Sequence, residues 1–174
     1  MKKFWSWAFV VTVVIASACD DDDDDSASML QQTDRDFVLN ASEGNLAEIQ
    51  LGTLAASKAS TPAVQDFGEM MASEHQTALD ELESIADLKN ATMTTELNAE
   101  HQQVREKLTG MSGFPFDTAY MNSQVKDHEK TIALFQTEIA NGKDQEVKDY
   151  ARKYLPHIQM HHHKADSIRK TLNQ

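Results

Sequence analysis

The sequence has a single cysteine, Cys19, among its 174 residues. A disulfide within the chain, a zinc site built from thiolates and an iron–sulfur cluster are therefore excluded. Basic residues are also few, since 16 Lys and Arg stand against 28 Asp and Glu and the formal net charge is −12. A surface this acidic repels phosphate backbones, so we expect no nucleic-acid partner. The length fits one globular domain with its own core.

The motifs of several enzyme classes are missing as well. The sequence contains no Gly-rich phosphate loop and no recognisable Ser-His-Asp arrangement. Carboxylate-bridged di-iron bundles use a Glu three residues before a His, and no histidine here has that neighbour. Oxygen-activating iron chemistry is therefore not expected. The question of enzyme activity stays open, and the sequence favours a protein without it.

The N-terminus has the plan of a secretory signal peptide. Lys2 and Lys3 precede an apolar stretch at 4–18 that is too short for an ordinary transmembrane helix. We therefore predict a signal peptide over residues 1–18 that is absent from the mature protein.

Small residues lead into the cysteine as Ile15-Ala16-Ser17-Ala18-Cys19. This pattern resembles the lipobox of bacterial lipoproteins, although that motif prefers Leu where Ala16 stands. The resemblance implies cleavage before Cys19 and acylation of its thiol, which would anchor the protein to a membrane through lipid. The alternative is cleavage by ordinary signal peptidase after Ala18, which would leave a free cysteine.

Six aspartates at 20–25 follow the cysteine directly. A run of like charges this dense repels itself, so we predict a solvated, disordered tether over residues 19–33. An acidic string after the lipid-bearing cysteine also resembles the surface-export signal of Bacteroidetes lipoproteins. This resemblance favours a bacterial envelope protein anchored in the outer membrane, on either its periplasmic or its surface face.

The rest of the chain, residues 34–174, is predicted to be an all-α bundle. It has few Gly and Pro, no alternating β-branched runs, and many Ala, Leu, Glu, Gln and Lys. Turn residues and amphipathic spacing predict helices at roughly 34–58, 62–89, 95–109, 116–140 and 144–172. Four long amphipathic helices indicate a four-helix bundle, with the short third helix in the connection between its halves.

One ionisable residue interrupts the apolar face of each long helix near its midpoint: Glu48, His75, His128 and His161. Helix midpoints share one level in a bundle, so we expect these four side chains to converge in the interior. Buried polar groups without partners are costly, and a bound cation would relieve that cost. Imidazole with one carboxylate suits a transition metal, with zinc or copper favoured over iron.

Several neighbours have weaker predicted roles. Glu74 and Asp127 precede two of the histidines and are expected to orient their rings. His101 in the short helix and His157, one turn before His161, are further candidate ligands. The apolar faces also carry two candidate thioether ligands, which would favour copper: Met71 and Met121.

A different interpretation remains open. Each histidine would then be hydrogen-bonded to a neighbour, and the bundle would be a structural or interaction module that docks an unidentified envelope protein. Rings at different levels, or rings that point to solvent, would favour that interpretation.

Short motifs over nearly the whole mature domain resemble one known family. They are Asp36-Phe37-Val38, Glu43-Gly44, Ala47-Glu48, Leu51-Gly52, Phe67-Gly68, Glu74-His75, Glu81-Leu82, Phe116-Asp117, Tyr120-Met121, Asp127-His128, Ala133-Leu134-Phe135 and Leu155-Pro156. These stretches resemble the family called domain of unknown function 4142, a ferritin-like group of bacterial envelope proteins. That family often has Asp in place of Glu74 and Leu in place of His162. The resemblance implies a ferritin-like bundle and little about activity.

Overall fold

The computed structural model describes Met1 and residues 30–174. Residues 2–18 of the predicted signal peptide, Cys19 and the six aspartates lie outside the described residues. The described part contains five α-helices and no strand: α1 Gln32–Lys58, α2 Pro62–Lys89, α3 Ala99–Thr109, α4 Gly113–Asn141 and α5 Gln145–Leu172. None of these five helices is both long enough and apolar enough to cross a bilayer. The predicted all-α class is confirmed.

The four long helices form two helical hairpins that pack against each other. α1 pairs with α2 and α4 pairs with α5, while α1 also contacts α4 and α2 also contacts α5. Links of three residues, 59–61 and 142–144, make each hairpin antiparallel. Helix α3 lies in the long connection between the hairpins and contacts α1 and α4. The predicted bundle with one short connecting helix is therefore confirmed.

Four of the five helices begin at residues other than those predicted from the sequence: α1 begins at Gln32 rather than 34 and α5 at Gln145 rather than 144, and the differences are larger for α3 and α4. Helix α3 begins at Ala99 rather than 95, because the side chain of Asn98 caps it by accepting a hydrogen bond of 2.9 Å from the backbone of His101. Helix α4 begins at Gly113 rather than 116. Pro115 does not prevent this, because a first-turn residue needs no backbone N–H for the helix.

A buried aspartate of each hairpin holds the turn of the other. Asp117 of α4 accepts backbone hydrogen bonds from Ser60 at 3.0 Å and Thr61 at 2.8 Å, in the turn between α1 and α2. Asp34 of α1 accepts backbone hydrogen bonds from Lys143 at 2.7 Å and from the following residue at 3.0 Å, in the turn between α4 and α5. These contacts fix the two hairpins at both ends of the bundle.

The core consists of two apolar clusters with a polar layer between them. One cluster includes Phe37, Leu82, Phe135 and Ile158, and the other includes Leu51, Met71, Val125 and Ala165. On every long helix, the ionisable residue singled out by the sequence lies between the residues of these two clusters. The fold thus places the four predicted site residues at one level.

Candidate metal centre

Three buried histidines from three helices meet in the polar layer. They are His75 on α2, His128 on α4 and His161 on α5, with exposed fractions of 6%, 2% and 2%. Their ring centroids are 5.4–5.9 Å apart. One nitrogen of each ring lies within 4.8 Å of a nitrogen of each of the other two. The structure therefore brings three of the four predicted ligands together.

The tautomer of His75 is fixed by a chain of hydrogen bonds that reaches α5. The hydroxyl of Tyr150 donates to the carbonyl of Ala78 at 3.1 Å and accepts from the amide nitrogen of Asn45 at 3.1 Å. The amide oxygen of Asn45 therefore faces His75, 2.8 Å from its Nδ1. Because that oxygen can only accept, Nδ1 carries the proton and Nε2 presents a lone pair.

The other two rings are held in the same manner by acceptors. Nδ1 of His128 donates to the backbone carbonyl of Gln124, one turn earlier on α4, at 2.9 Å. Nε2 of His161 donates to the carboxylate of Glu74 on α2 at 2.9 Å. In both rings the second nitrogen is consequently unprotonated in the neutral form.

The three remaining nitrogens have no hydrogen-bond partner within the described chain: His75 Nε2, His128 Nε2 and His161 Nδ1. Burial lowers the pKa of all three imidazoles, and the neighbouring rings add to this for His75 and His128. The pKa of His128 falls to about 4. The rings are therefore neutral near pH 7, and their free lone pairs are available to a cation.

Glu48, the fourth predicted ligand, lies beside the histidine cluster. It is 4% exposed, and its Oε1 is 3.7 Å from His128 Nδ1, the nitrogen that already donates to a carbonyl. Its Oε2 has no hydrogen-bond partner in the described structure. Burial, with the nearby charge of Asp127, raises the pKa of Glu48 to about 8. The group of mutually close ligand atoms consists of the three histidines without this carboxylate.

His101 lies apart from the cluster, between two carboxylates. Its Nδ1 donates to Glu43 at 2.7 Å and its Nε2 donates to Asp127 at 2.8 Å. Burial lowers the pKa of His101, but these hydrogen bonds outweigh burial and raise it to about 10. A ring with both nitrogens protonated has no lone pair for a metal. Its role is to fasten α3 to α1 and α4.

The two acidic neighbours orient rings other than those expected from the sequence. Glu74 holds His161 and Asp127 holds His101, rather than the histidines that directly follow them. Successive helical residues point about 100° apart, so each carboxylate reaches the adjacent helix instead.

The remaining candidates stay outside the cluster. The side chain of His157 is 54% exposed, and its Nδ1 is 3.7 Å from Glu74. Met71 and Met121 are fully buried and belong to the apolar cluster next to the polar layer.

A family model described as "Domain of unknown function (DUF4142)" matches residues 20–168. The chain belongs to the DUF4142 family. Its fold is similar to the crystal structure of a DUF305 fragment from Deinococcus radiodurans, with a TM-score of 0.73 over 82% of this chain and 99% of that chain. The two sequences are 9% identical, so this likeness concerns the fold alone. No curated protein matches the sequence.

The DUF4142 chain also uses three groups that sequence reasoning missed. They are Asn45, Tyr150 and the backbone carbonyl of Gln124. Asn45 and this carbonyl accept hydrogen bonds from His75 and His128, and Tyr150 fixes the orientation of the Asn45 amide. Asn45 carried a weak signal, because it lies three residues before Glu48 and four after Ala41 on the buried face of α1. The carbonyl carried none, since every residue has one.

The donor set of this DUF4142 site fits a transition metal. Three neutral imidazoles offer unprotonated nitrogens, and each ring gives its other N–H to a carbonyl or carboxylate, as metal-binding histidines commonly do. An unpartnered buried polar atom costs about 1–3 kcal/mol, so three of them at one place form an unfavourable arrangement that a cation relieves.

Proposed function

We propose that this DUF4142 protein is a lipid-anchored envelope protein whose bundle binds one transition-metal ion, in a role of metal binding or stress protection. The ligands are His75, His128 and His161. The observation that supports this most is the set of three convergent imidazole nitrogens that have no hydrogen-bond partner among residues 30–174. Imidazole suits zinc, copper, iron and nickel. Zinc and copper are proposed first, because the site lacks the bridging carboxylates of di-iron bundles.

Hydrogen bonding among the rings is a poorer solution than a metal. Each ring has already given one N–H to an outside acceptor, so a contact between two rings needs an additional proton. That proton would place a charge in the apolar interior, where burial and the neighbouring rings disfavour it. One cation shared by three lone pairs satisfies all of them at once.

Metal binding is tested by titrating the metal-free full chain with Zn²⁺ and Cu²⁺ in separate calorimetric experiments, with elemental analysis of the product. We expect one ion per chain. Loss of a residue that hydrogen-bonds a metal-binding histidine typically weakens metal binding by roughly 10- to 100-fold. Replacing one of the ligands themselves, for example His75→Gln, should weaken metal binding by more than this.

The matched control is His163→Gln, because His163 is an exposed histidine on α5. It should bind metal as the wild type does. Equal binding by His75→Gln and the wild type would overturn the proposed ligands. A folded wild type that binds neither ion would favour the structural or interaction module instead.

The lipid anchor has support from the residues around Cys19, which lie outside the described structure. In a bacterial host the wild type should sediment with membranes, and mass spectrometry should find acyl chains on the N-terminal cysteine. Cys19→Ser should be found in the soluble fraction. An unmodified cysteine in the processed wild type would refute the anchor without affecting the metal site.

A further inference from the structure

The polar layer contains a cavity larger than one metal ion needs. Its volume is about 40 Å³, and the three histidines line it together with Glu48, Gly44 and residues of the neighbouring apolar cluster. One water-sized probe occupies roughly 10–15 Å³ by the same measure. The cavity therefore has room for an ion and for a small molecule beside it.

Residues of α1 and α4 lie between this cavity and a second pocket nearer the surface. This outer pocket of about 230 Å³ lies next to His101. Four residues border both spaces: Asn40, Gly44, Thr131 and Leu134. They form the boundary through which a small molecule would pass from one space to the other.

Gly44 adds no side chain to this boundary. A Cβ atom built on Gly44 meets nothing within 4 Å. By contrast, a Cβ on Gly52, two turns further along the same helix, would lie 2.7 Å from a backbone oxygen of α2. Glycine at 52 is required for helix contact, whereas glycine at 44 has free space at its Cβ position and borders both pockets.

The described residues supply three close ligand atoms, which would leave a coordination position of a bound metal free. Zinc sites with three protein ligands typically hold water or substrate in the fourth position, whereas closed structural sites use four protein ligands. Glu48 lines the cavity but lies outside the close group of ligand atoms. A metal held by the three histidines would therefore have a position left for a ligand, next to a cavity that these histidines also line.

We propose that the ion keeps one coordination position for a small exogenous ligand that enters between α1 and α4 past Gly44. This inference rests on the proposed metal site. The ligand class is water or a monodentate molecule of about one to three heavy atoms, since the cavity admits about three water-sized probes including the ion.

Azide serves as the probe for the open position. It is added to the copper-loaded full chain, and the azide-to-copper charge-transfer absorption is followed. We expect a saturable new band that corresponds to one azide per copper. Bound copper without such a band would overturn this inference and leave the metal site standing. A chain that binds neither copper nor zinc would overturn both.

The entry path is tested with Gly44→Leu, which places a branched side chain at the boundary between the two pockets. We expect unchanged copper affinity and at least a 10-fold slower association of azide. Gly44→Ala is the matched control, because its Cβ has free space and should leave the rate unchanged. Thr131→Leu enlarges a side chain of this boundary on α4 and should also slow entry. Wild-type rates in both leucine variants would overturn the path.

Discussion

At the scale of single residues, the proposed metal site depends on side chains outside its proposed ligand set. Asn45 can turn only its oxygen to His75, because its nitrogen donates to Tyr150. The hydroxyl of Tyr150 is in turn committed to the carbonyl of Ala78. The orientation of one amide therefore decides which nitrogen of His75 is free.

Asn45→Ala should weaken zinc binding by about 10- to 100-fold, because the ring of His75 loses the acceptor that fixes its tautomer and direction. Isothermal titration with zinc measures the change. Tyr150→Phe keeps the aromatic packing and should have a smaller effect of the same sign. Asn122→Ala, at an exposed position on α4, is the control. Wild-type affinity in Asn45→Ala would contradict the role of this amide.

The sequence predicted the histidines better than the groups that orient them. His75, His128 and His161 were found because each interrupts an apolar helix face near its midpoint, a pattern visible within one helix. Which histidine is hydrogen-bonded by Glu74 depends on how α2 and α5 are rotated relative to each other. A sequence pattern within one helix does not contain that information. Glu48 shares the level of the histidines, but its final distance from them depends on side-chain direction.

At the scale of helices, glycine determines how closely α1 and α2 approach. A Cβ on Gly68 would lie 2.7 Å from the backbone nitrogen of Ala56 and from the carbonyl oxygen of Gly52. Backbone atoms cannot move aside as a flexible side chain can. The distance between these helices, and hence the position of His75, depends on these two residues.

Gly68→Ala should destabilise the protein by about 1–3 kcal/mol, the usual cost of overpacking a core. Urea unfolding followed by circular dichroism measures the change. Gly110→Ala is the control, because its φ is −78° and its Cβ would have no neighbour closer than 3.6 Å. If the two variants have the same midpoint, the close approach of α1 and α2 is not required.

The C-terminal end of α4 contains a carboxyl group that should make stability depend on pH. Burial, together with the charge of Asp34, raises the pKa of Glu138 to about 7. The folded state then binds more protons than the unfolded state between about pH 4.5 and pH 7. The stability contributed by Glu138 is thus fully present below that window and is lost as the pH rises through it.

Glu138→Gln should remove this part of the pH dependence, because the amide does not titrate. Denaturant unfolding at several pH values from 4.5 to 8 gives the comparison. The wild type should lose stability relative to the variant across this range. Glu106→Gln, at an exposed position on α3, should keep the wild-type slope. Parallel curves for the wild type and Glu138→Gln would contradict the raised pKa.

Helix boundaries show where sequence patterns carry information about elements. Thr61-Pro62 correctly predicted the start of α2, because Pro at the first helical position leaves a recognisable signal. The start of α4 was misplaced, since Gly113 and Pro115 are typical of loops yet lie in its first turn. Gly and Pro residues therefore mark a helix boundary only when the tertiary contacts favour a boundary at the same position.

At the scale of the whole molecule, a bound ion would connect three helices and stabilise the native state. Zinc at about 100 times its dissociation constant should add about 2.7 kcal/mol, provided that it binds only the folded chain. Thermal unfolding with and without zinc measures the shift. His163→Gln should keep the stabilisation and His75→Gln should lose it. An equal shift in His75→Gln would place the zinc at another site.

The reciprocal contacts of Asp34 and Asp117 give the two hairpins equivalent roles, like halves of a duplicated unit. Each hairpin supplies one of these aspartates and receives the other at its turn, so we expect the hairpins to stay associated without the covalent connection at 90–98. A chain cut there by an inserted protease site should stay one particle by size-exclusion chromatography. Dissociation into separate fragments would show that the continuous backbone, rather than the contacts between the two hairpins, keeps them together.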